Sequence, residues 1–188
     1  MRRLRLLPLV LFLAATILAP LATADELAGV TMADRVAADG QQLVLNGMGL
    51  RKKFFIKVYV AGLYLPAKTS DAAKVLAADE ARRTDMHFLY GVDRGKICEG
   101  WDEGVANNAP RASAAVKEQM AALCKLMEDM EEGDRMTFTY VPGTGTTVEV
   151  KGQAKGTLEG KAFADALWST WLGPKPPSTD FKAGLLGG

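Results

Sequence analysis

The longest stretch of strand-forming residues covers residues 54–65, where apolar side chains occupy most positions. Alternate residues of a strand share a face. One face would carry Phe54, Ile56, Val58, Val60 and Tyr64, and the other Phe55, Lys57, Tyr59, Ala61, Leu63 and Leu65. Two apolar faces predict a central strand covered on both sides. Lys57 and Tyr59 would then need polar partners, because a buried polar group without a hydrogen bond is destabilising.

Glycines mark the segment before this strand. Residues 42–46 are expected to form a short strand, and Gly47 and Gly49 predict a tight turn that leads to Arg51 and the long strand. Residues 25–40 are small and polar with little periodicity, which predicts an irregular lead-in.

Beyond Pro66 the chain shows helical spacing and strand alternation in turn. Helices are predicted over residues 71–78, 93–107, 111–130, 159–171 and 178–186. Their expected starts are Ser70, Asp93, Pro110, Glu159 and Ser178. Strands are predicted over residues 82–91, 135–141, 146–151 and 153–157. The pattern lacks regular βαβ alternation, so it predicts an α+β fold with a largely antiparallel sheet and helices packed on one face.

The first 24 residues have the features of a secretory signal peptide. Arg2, Arg3 and Arg5 precede an apolar run over residues 6–18, and small residues at 22–24 form a cleavage site. A retained membrane anchor is the alternative, but the apolar run is short for a span. We expect an exported, periplasmic protein without a stable membrane span, whose single domain covers residues 25–188.

Charge and composition exclude several classes of function. The chain has 23 Lys and Arg against 22 Asp and Glu. Without the three N-terminal arginines the formal charge becomes −2, which argues against a nucleic-acid binder. One histidine, His87, and two distant cysteines do not form a metal site. No glycine motif matches a nucleotide fingerprint, so no cofactor is predicted.

Cys98 and Cys124 both fall in predicted helices. In an oxidising compartment they could form a disulfide that ties the two helices together. Two separate buried thiols are an equally good interpretation.

Arg51 is the strongest candidate for chemistry, because its guanidinium could hold a carboxylate with two hydrogen bonds or stabilise a developing enolate. An exposed turn arginine is the alternative. The phenol of Tyr59 could donate a hydrogen bond beside it, together with Lys57. Trp101 and Asn108 are seven residues apart, so on a helix they share a face that could line a pocket. A core tryptophan and an asparagine that caps the end of the helix are the alternative.

The residues from Gly47 to Leu65 resemble the chalcone isomerase-like family, and its bacterial exported branch in particular. The resemblance rests on Gly47-x-Gly49-x-Arg51, followed by Lys-Val-Tyr-x-x-Gly-x-Tyr-Leu over residues 57–65. It implies an open-faced β-sandwich with a ligand cleft between the sheet and the helices. In the plant enzymes of the family, the equivalent of Arg51 is catalytic in closing a chalcone to a flavanone.

Other catalytic positions of the plant enzymes differ here. Tyr59 stands where they have a threonine, Trp101 where they have a tyrosine, and Ala164 where they have a threonine or serine, while Asn108 matches. Members that do not catalyse cyclisation bind fatty acids, with an arginine and a tyrosine holding the carboxylate. Arg51 and Tyr59 are closer to that pattern.

Three hypotheses follow. The first is a binding protein for a small amphipathic or aromatic ligand, fatty-acid-like, in which Arg51, Lys57, Tyr59, Trp101 and Asn108 contact the ligand. The second is an intramolecular lyase for a chalcone-like ketone, with Arg51, Tyr59 and Asn108 as catalytic residues. The third is a structural or partner-binding envelope protein. An open apolar pocket ending at Arg51 would count against the third, and a cleft filled by side chains would support it.

Overall fold

A seven-stranded antiparallel sheet forms the centre of the molecule in the computed structural model, which describes residues 24–188. Its strands pair in chain order, each with the next: β3 (Arg35–Ala38), β4 (Gln41–Lys53), β5 (Ile56–Leu65), β6 (Arg82–Phe88), β7 (Arg135–Val141), β8 (Gly145–Val150) and β9 (Gln153–Leu158). A separate hairpin of β1 (Ala24–Leu27) and β2 (Val30–Ala33) precedes it. The predicted signal peptide lies almost entirely outside the described residues.

Within residues 24–188 five helices accompany the sheet: α1 (Ala72–Ala77), α2 (Arg94–Asn108), α3 (Ala114–Leu126), α4 (Lys161–Leu172) and α5 (Thr179–Leu185). Helix α4 is the centre of this layer, because every residue from Ala166 to Leu172 is buried. It packs against α1, α2, α3 and β8.

The sheet has a hydrophobic core on each face. On the helix side, Ala61, Leu63 and Leu65 of β5 pack among apolar residues of the helices. On the other side, Val60 and Tyr64 of the same strand pack beneath the β1–β2 hairpin. The predicted central strand with two apolar faces is therefore confirmed, as is the α+β class with helices on one face of an antiparallel sheet.

A buried arginine that does not line the cleft described below joins the sheet to the helices. The Arg82 side chain donates to the carbonyl oxygen of Val75 (2.9 Å) and to Asp165 (2.6 Å). Its guanidinium also stacks between the rings of Tyr140 and Trp168, about 5 Å from each centroid. The pattern of alternating residues had marked residue 82 only as the start of a strand.

Residues 25–40 form β1, β2 and β3, so the prediction of an irregular lead-in was wrong. Each of these strands is only four residues long, which is too short for a clear alternation. The two-residue turn Ala28-Gly29 joins β1 to β2, and Asp39-Gly40 joins β3 to β4, with positive φ at all four residues.

Gly47 and Gly49 lie inside β4, so the predicted glycine turn was also wrong. Both residues allow α5 to rest directly on the strand. A Cβ on Gly49 would lie 2.5 Å from the carbonyl oxygen of Phe181, and one on Gly47 would clash with the backbone of Gly184. The real turn is at Phe54 and Phe55, and β5 begins two residues later than predicted.

Three helix starts differ from the prediction. Helix α4 begins at Lys161 after Gly160, two residues later than the expected Glu159. Asp71, not Ser70, caps α1 by accepting from the Lys74 amide at 3.1 Å. Helix α3 begins after Ser113, whose hydroxyl accepts from the Val116 amide, and not at the proline before it. Met130 lies beyond α3, where its backbone forms a bridge with Val92.

Candidate functional site

A cleft of about 330 Å³ opens between the sheet and α2. Strands β4, β5 and β6 form its floor, α2 and the end of α4 form its walls, and residues 175–177 close one side. Its apolar lining consists mainly of Val58, Met86, Phe88, Val92, Ile97, Trp101 and Trp171. The cleft thus lies where the fold class predicts a ligand site, between sheet and helices.

Strand register brings the two main candidates side by side. Arg51 on β4 pairs with Tyr59 on β5, and Tyr59 pairs with Phe88 on β6. Directly opposed residues of antiparallel strands point to the same face. All three side chains line the cleft. A cation, a phenol and a phenyl ring therefore form one row across the floor.

Arg51 is partly buried, and its hydrogen bonds leave part of the guanidinium available. Within residues 24–188 both of its hydrogen bonds use Nη1, which donates to the carbonyl oxygens of Lys52 (2.7 Å) and Pro177 (3.2 Å). Nε and Nη2 are thus free to donate to a ligand in the cleft. The bond to Pro177 also fixes the side chain against the loop that closes the cleft.

Aromatic rings hold Tyr59 in position. Its ring lies 5.7 Å from Phe88 and meets Phe181 of α5 edge-on at 5.8 Å. Burial raises the pKa of Tyr59 above 10.0, while a hydrogen bond with the Trp171 side chain and the charge of Arg51 oppose that shift more weakly. The phenol therefore keeps its proton at neutral pH.

Trp101 forms part of the cleft wall and part of the core. Only 5% of its surface is exposed, and its ring meets Phe138 edge-on at 5.6 Å. Trp171 also packs against Phe138, with ring centroids 5.9 Å apart. The prediction that Trp101 lines a pocket agrees with this position, and so does the alternative of a core tryptophan.

Asn108 does not reach the cleft lining, although it shares a helix with Trp101. Its amide nitrogen donates to the carbonyl oxygens of Gly104 and Lys175, each at 2.9 Å, and its oxygen accepts from the Lys175 amide at 2.7 Å. The side chain fastens the end of α2 to the loop after α4. The neighbouring Asn107 lines the cleft instead.

Lys57 is exposed and lies outside the cleft. The expectation of a dry environment fails because Lys57 is only one residue from the start of β5, close to the hairpin turn. Its strand partner is Lys52, another exposed cation. Ala164, the position of a hydroxyl in the plant enzymes, is buried in the core and does not line the cleft.

A buried hydroxyl in the cleft escaped the sequence analysis. Thr170 lines it, and its hydroxyl donates to the Leu167 carbonyl oxygen at 2.7 Å. Helix α2 passes closely here, since a Cβ on Gly104 would lie 2.8 Å from the Thr170 Cβ. Helical periodicity separates inward from outward residues, but it does not say which cavity an inward residue faces.

Charged residues surround the cleft opening. Lys53, Lys96, Glu99, Glu103 and Lys175 all contribute to the lining. Lys96 and Glu99 form an exposed ion pair at 2.7 Å, and such pairs add little to stability. Two larger depressions, of about 740 and 770 Å³, lie elsewhere on the surface, but they are more open to solvent and contain none of the predicted ligand-binding residues.

A disulfide joins the wall of the cleft to the next helix. Cys98 on α2 is bonded to Cys124 on α3, with their Cα atoms 5.7 Å apart. Cys98 follows Ile97, which lines the cleft. The bridge therefore restrains α2, a wall of the cleft, through α3.

No helix within residues 24–188 is long and apolar enough to cross a bilayer.

The antiparallel sheet, the helix layer on one face and the cleft between them agree with the chalcone isomerase-like architecture that the resemblance implied. The family model described as chalcone isomerase-like matches residues 24–187, and the chain therefore belongs to the chalcone isomerase-like family. The crystal structure of a fatty-acid binding protein of Arabidopsis thaliana has a similar fold, with a TM-score of 0.68 at 16% sequence identity. That similarity covers 88% of this chain and 95% of the plant protein. No curated protein sequence matches the chain.

Proposed function

We propose that this protein is exported and binds a small amphipathic carboxylate, fatty-acid-like, without catalysing cyclisation. One observation carries the proposal: Arg51 and Tyr59 are strand neighbours in a cleft that also has an apolar wall, formed by side chains of the sheet and α2. Such a site suits a ligand with one anionic end and one apolar end.

The carboxylate is assigned to the row formed by Arg51 and Tyr59. Nε and Nη2 of Arg51 can donate two charge-assisted hydrogen bonds to its oxygens. Tyr59 can donate a third, because its raised pKa keeps the phenol protonated.

The apolar part of the ligand is assigned to the wall formed by Met86, Phe88, Ile97 and Trp101. Each methylene buried there would contribute about 0.8 kcal/mol. A volume of about 330 Å³ is near the lower end of the range of roughly 300–1,000 Å³ for ligand pockets. The site therefore favours a short or medium chain. The similar fold of a plant fatty-acid binding protein supports this class of ligand.

Cyclisation is disfavoured because groups expected to position a ketone and a water are altered. Tyr59 and Trp101 replace a threonine and a tyrosine of the plant enzymes, and the amide of Asn108 is already bonded to backbone. An open cleft at Arg51 also counts against a purely structural role. The disulfide supports export, because such bonds persist in oxidising compartments.

Native mass spectrometry of the wild type beside Arg51→Ala tests the proposal. We expect an acidic lipid to co-purify with the wild type and to be lost in the variant. Titration with dodecanoate should then show roughly a ten- to hundredfold loss of affinity for Arg51→Ala, since hydrogen bonds to charged groups contribute about 1.5–3 kcal/mol. Tyr59→Phe should lose roughly two- to tenfold.

Arg111→Ala is the matched control, because it removes an exposed arginine outside the cleft. Dodecanoate affinity should stay within about twofold of the wild type, since exposed distant charges are screened. Equal binding by wild type and Arg51→Ala, or binding by neither, would overturn the proposal. Chalcone cyclisation that depends on Arg51 would instead support the lyase hypothesis.

A further inference from the structure

The turn between β4 and β5 exposes two adjacent phenylalanines. Phe54 is 88% exposed and Phe55 is 93% exposed, whereas other large apolar side chains of residues 24–188 are buried or partly buried apart from Tyr90. An exposed aromatic pair at the end of a hairpin loses the hydrophobic contribution that such residues normally make. The pair must therefore be explained by something other than the packing of this fold.

The backbone of this turn makes the choice of residue more unusual. Phe54 has φ +56°, a conformation that suits glycine or asparagine better than an aromatic residue. The other two-residue hairpin turns of the described chain all place glycine second: Ala28-Gly29, Asp39-Gly40 and Lys151-Gly152. Among the two-residue turns of residues 24–188, only the β4–β5 turn lacks glycine at its second position, and both of its residues are aromatic.

Lysines flank the pair on both strands. Lys52, Lys53 and Lys57 are exposed, and with Phe54 and Phe55 they form what we call the tip patch. Lys52 and Lys57 occupy directly paired positions on the two strands. Neither forms an ion pair within residues 24–188. Like charges on opposed residues are unfavourable unless an anionic surface neutralises them.

We propose that the tip patch docks this protein onto an anionic lipid bilayer. Aromatic rings are favoured at the boundary between headgroups and acyl chains, and lysines beside them attract anionic lipids. A two-residue protrusion ringed by lysines is small for a specific protein interface, which needs roughly 800 Å² per partner. A fluid bilayer can instead close around a protruding tip. This argument is independent of the ligand proposed for the cleft.

Docking at the tip would bring the cleft to the membrane surface. Arg51 and Lys53, at the tip end of β4, line the cleft, and Val58 and Tyr59 line it from the paired strand. The same hairpin therefore carries the membrane contact at its end and the candidate carboxylate site a few residues further in. A ligand drawn from a bilayer would need to travel only a short way to reach that site.

Vesicle flotation tests the docking surface directly. The purified chain, with the same N-terminus in every variant, is mixed with vesicles of phosphatidylcholine with or without phosphatidylglycerol. We expect binding to the anionic vesicles that weakens as salt is raised. Phe54→Ser with Phe55→Ser should lower the affinity by at least about tenfold. Lys52→Gln with Lys57→Gln should also lower the affinity by at least about tenfold, since each lysine near an anionic surface contributes to the binding free energy.

Matched controls separate the tip from general charge and from folding. Lys117→Gln with Lys125→Gln removes two exposed lysines from α3 and should keep the affinity within about twofold. The serine pair at the tip should unfold at the wild-type temperature or above. It should also bind dodecanoate as the wild type does, so a failure at the tip is distinguishable from a failure of the cleft proposal.

Four results would overturn the docking surface. These are an absence of vesicle binding by the wild type, equal binding to neutral and anionic vesicles, equal binding by the tip variants and the wild type, and a wild-type dimer that the serine pair converts to a monomer. The last result would make the tip a contact between copies of the chain. The vesicle result counts whether or not dodecanoate binds.

Discussion

Replacing Gly49 with alanine tests the contact by which α5 covers the cleft end of β4. An added Cβ would lie 2.5 Å from the carbonyl oxygen of Phe181 and 2.9 Å from Cδ2 of its ring. Phe181 is fully buried and packs edge-on against Tyr59. Helix α5 would therefore have to move away from the strand, and Tyr59 would lose part of its support.

The expected magnitude follows from two opposing effects. Overpacking a tight site costs about 1–3 kcal/mol. Replacing glycine by alanine in an unhindered strand or helix gains about 0.5–1 kcal/mol. Gly49→Ala should therefore lower the free energy of unfolding by about 1–2 kcal/mol, which corresponds to roughly 2–8 °C in Tm for a domain of this size. Affinity for dodecanoate should fall with it, through the displaced Tyr59.

Gly100→Ala is the matched substitution, with the opposite expected sign. Gly100 lies in the middle of α2 with nothing within 4 Å of an added Cβ. The variant should be stabilised by up to about 1 kcal/mol through helix propensity. Urea denaturation followed by fluorescence measures both, because all three tryptophans are at most 5% exposed in the folded protein. A Gly49→Ala variant as stable as the wild type would refute the docking of α5 on β4.

Three further predictions concern the rest of the fold. Arg82→Met should lower the free energy of unfolding by about 3 kcal/mol, the lower end for a broken buried ion pair, because a lysine on α4 still neutralises its carboxylate partner. Cys98→Ser with Cys124→Ser should cost about 3.5 kcal/mol, from closure of a loop with a sequence separation of 26. Burial raises the pKa of Tyr64 and of Tyr140 from 10.0 to about 12, so the folded protein holds these protons longer than the unfolded chain. Their contribution to stability should be complete below pH 10 and decline between pH 10 and pH 12, which urea midpoints measured across that range would show.

Each of these has a result that would contradict it. Arg111→Met removes an exposed arginine and should change the free energy of unfolding by less than about 0.5 kcal/mol. Equal decreases for Arg82→Met and Arg111→Met would show that the buried ion pair does not stabilise the fold. Wild type treated with reductant should match the serine pair, and an unchanged urea midpoint on reduction would show that the bridge does not restrain the unfolded chain. Tyr64→Phe should flatten part of the alkaline decline; an unchanged slope would assign the decline to other groups.

Local patterns predicted the order of elements well where one strand or helix has a clear period. Strand β7 has the predicted bounds, and Ser178 caps α5 as expected through the Phe181 amide at 3.1 Å. Asp93 precedes α2 as predicted, though without a side-chain capping bond. These features depend on side chains within a few residues of one another, and the sequence contains that information directly.

The glycine motif shows what local patterns cannot decide. Glycine suits both a turn and a close backbone approach, so Gly47 and Gly49 fit either interpretation. The choice depends on α5, which lies at the far end of the chain. The aromatic turn was hidden for a related reason, because Phe54 and Phe55 have high strand propensity and were joined to β5.

By itself, the sequence determined the class of the fold, the central strand with two apolar faces, and Arg51 and Tyr59 as the candidate pair. These follow from periodicity, residue chemistry and family resemblance, which are properties of short segments. Only the tertiary structure decided which residues complete the cleft. Pro177, whose carbonyl oxygen accepts from Arg51, is 126 residues further along the chain, and Lys175, whose backbone binds the amide of Asn108, is 67 residues beyond that residue. The physical reason is that a binding site is formed by segments that are distant in the sequence. Their relative positions depend on packing, and the periodicity of a single segment contains no information about those positions.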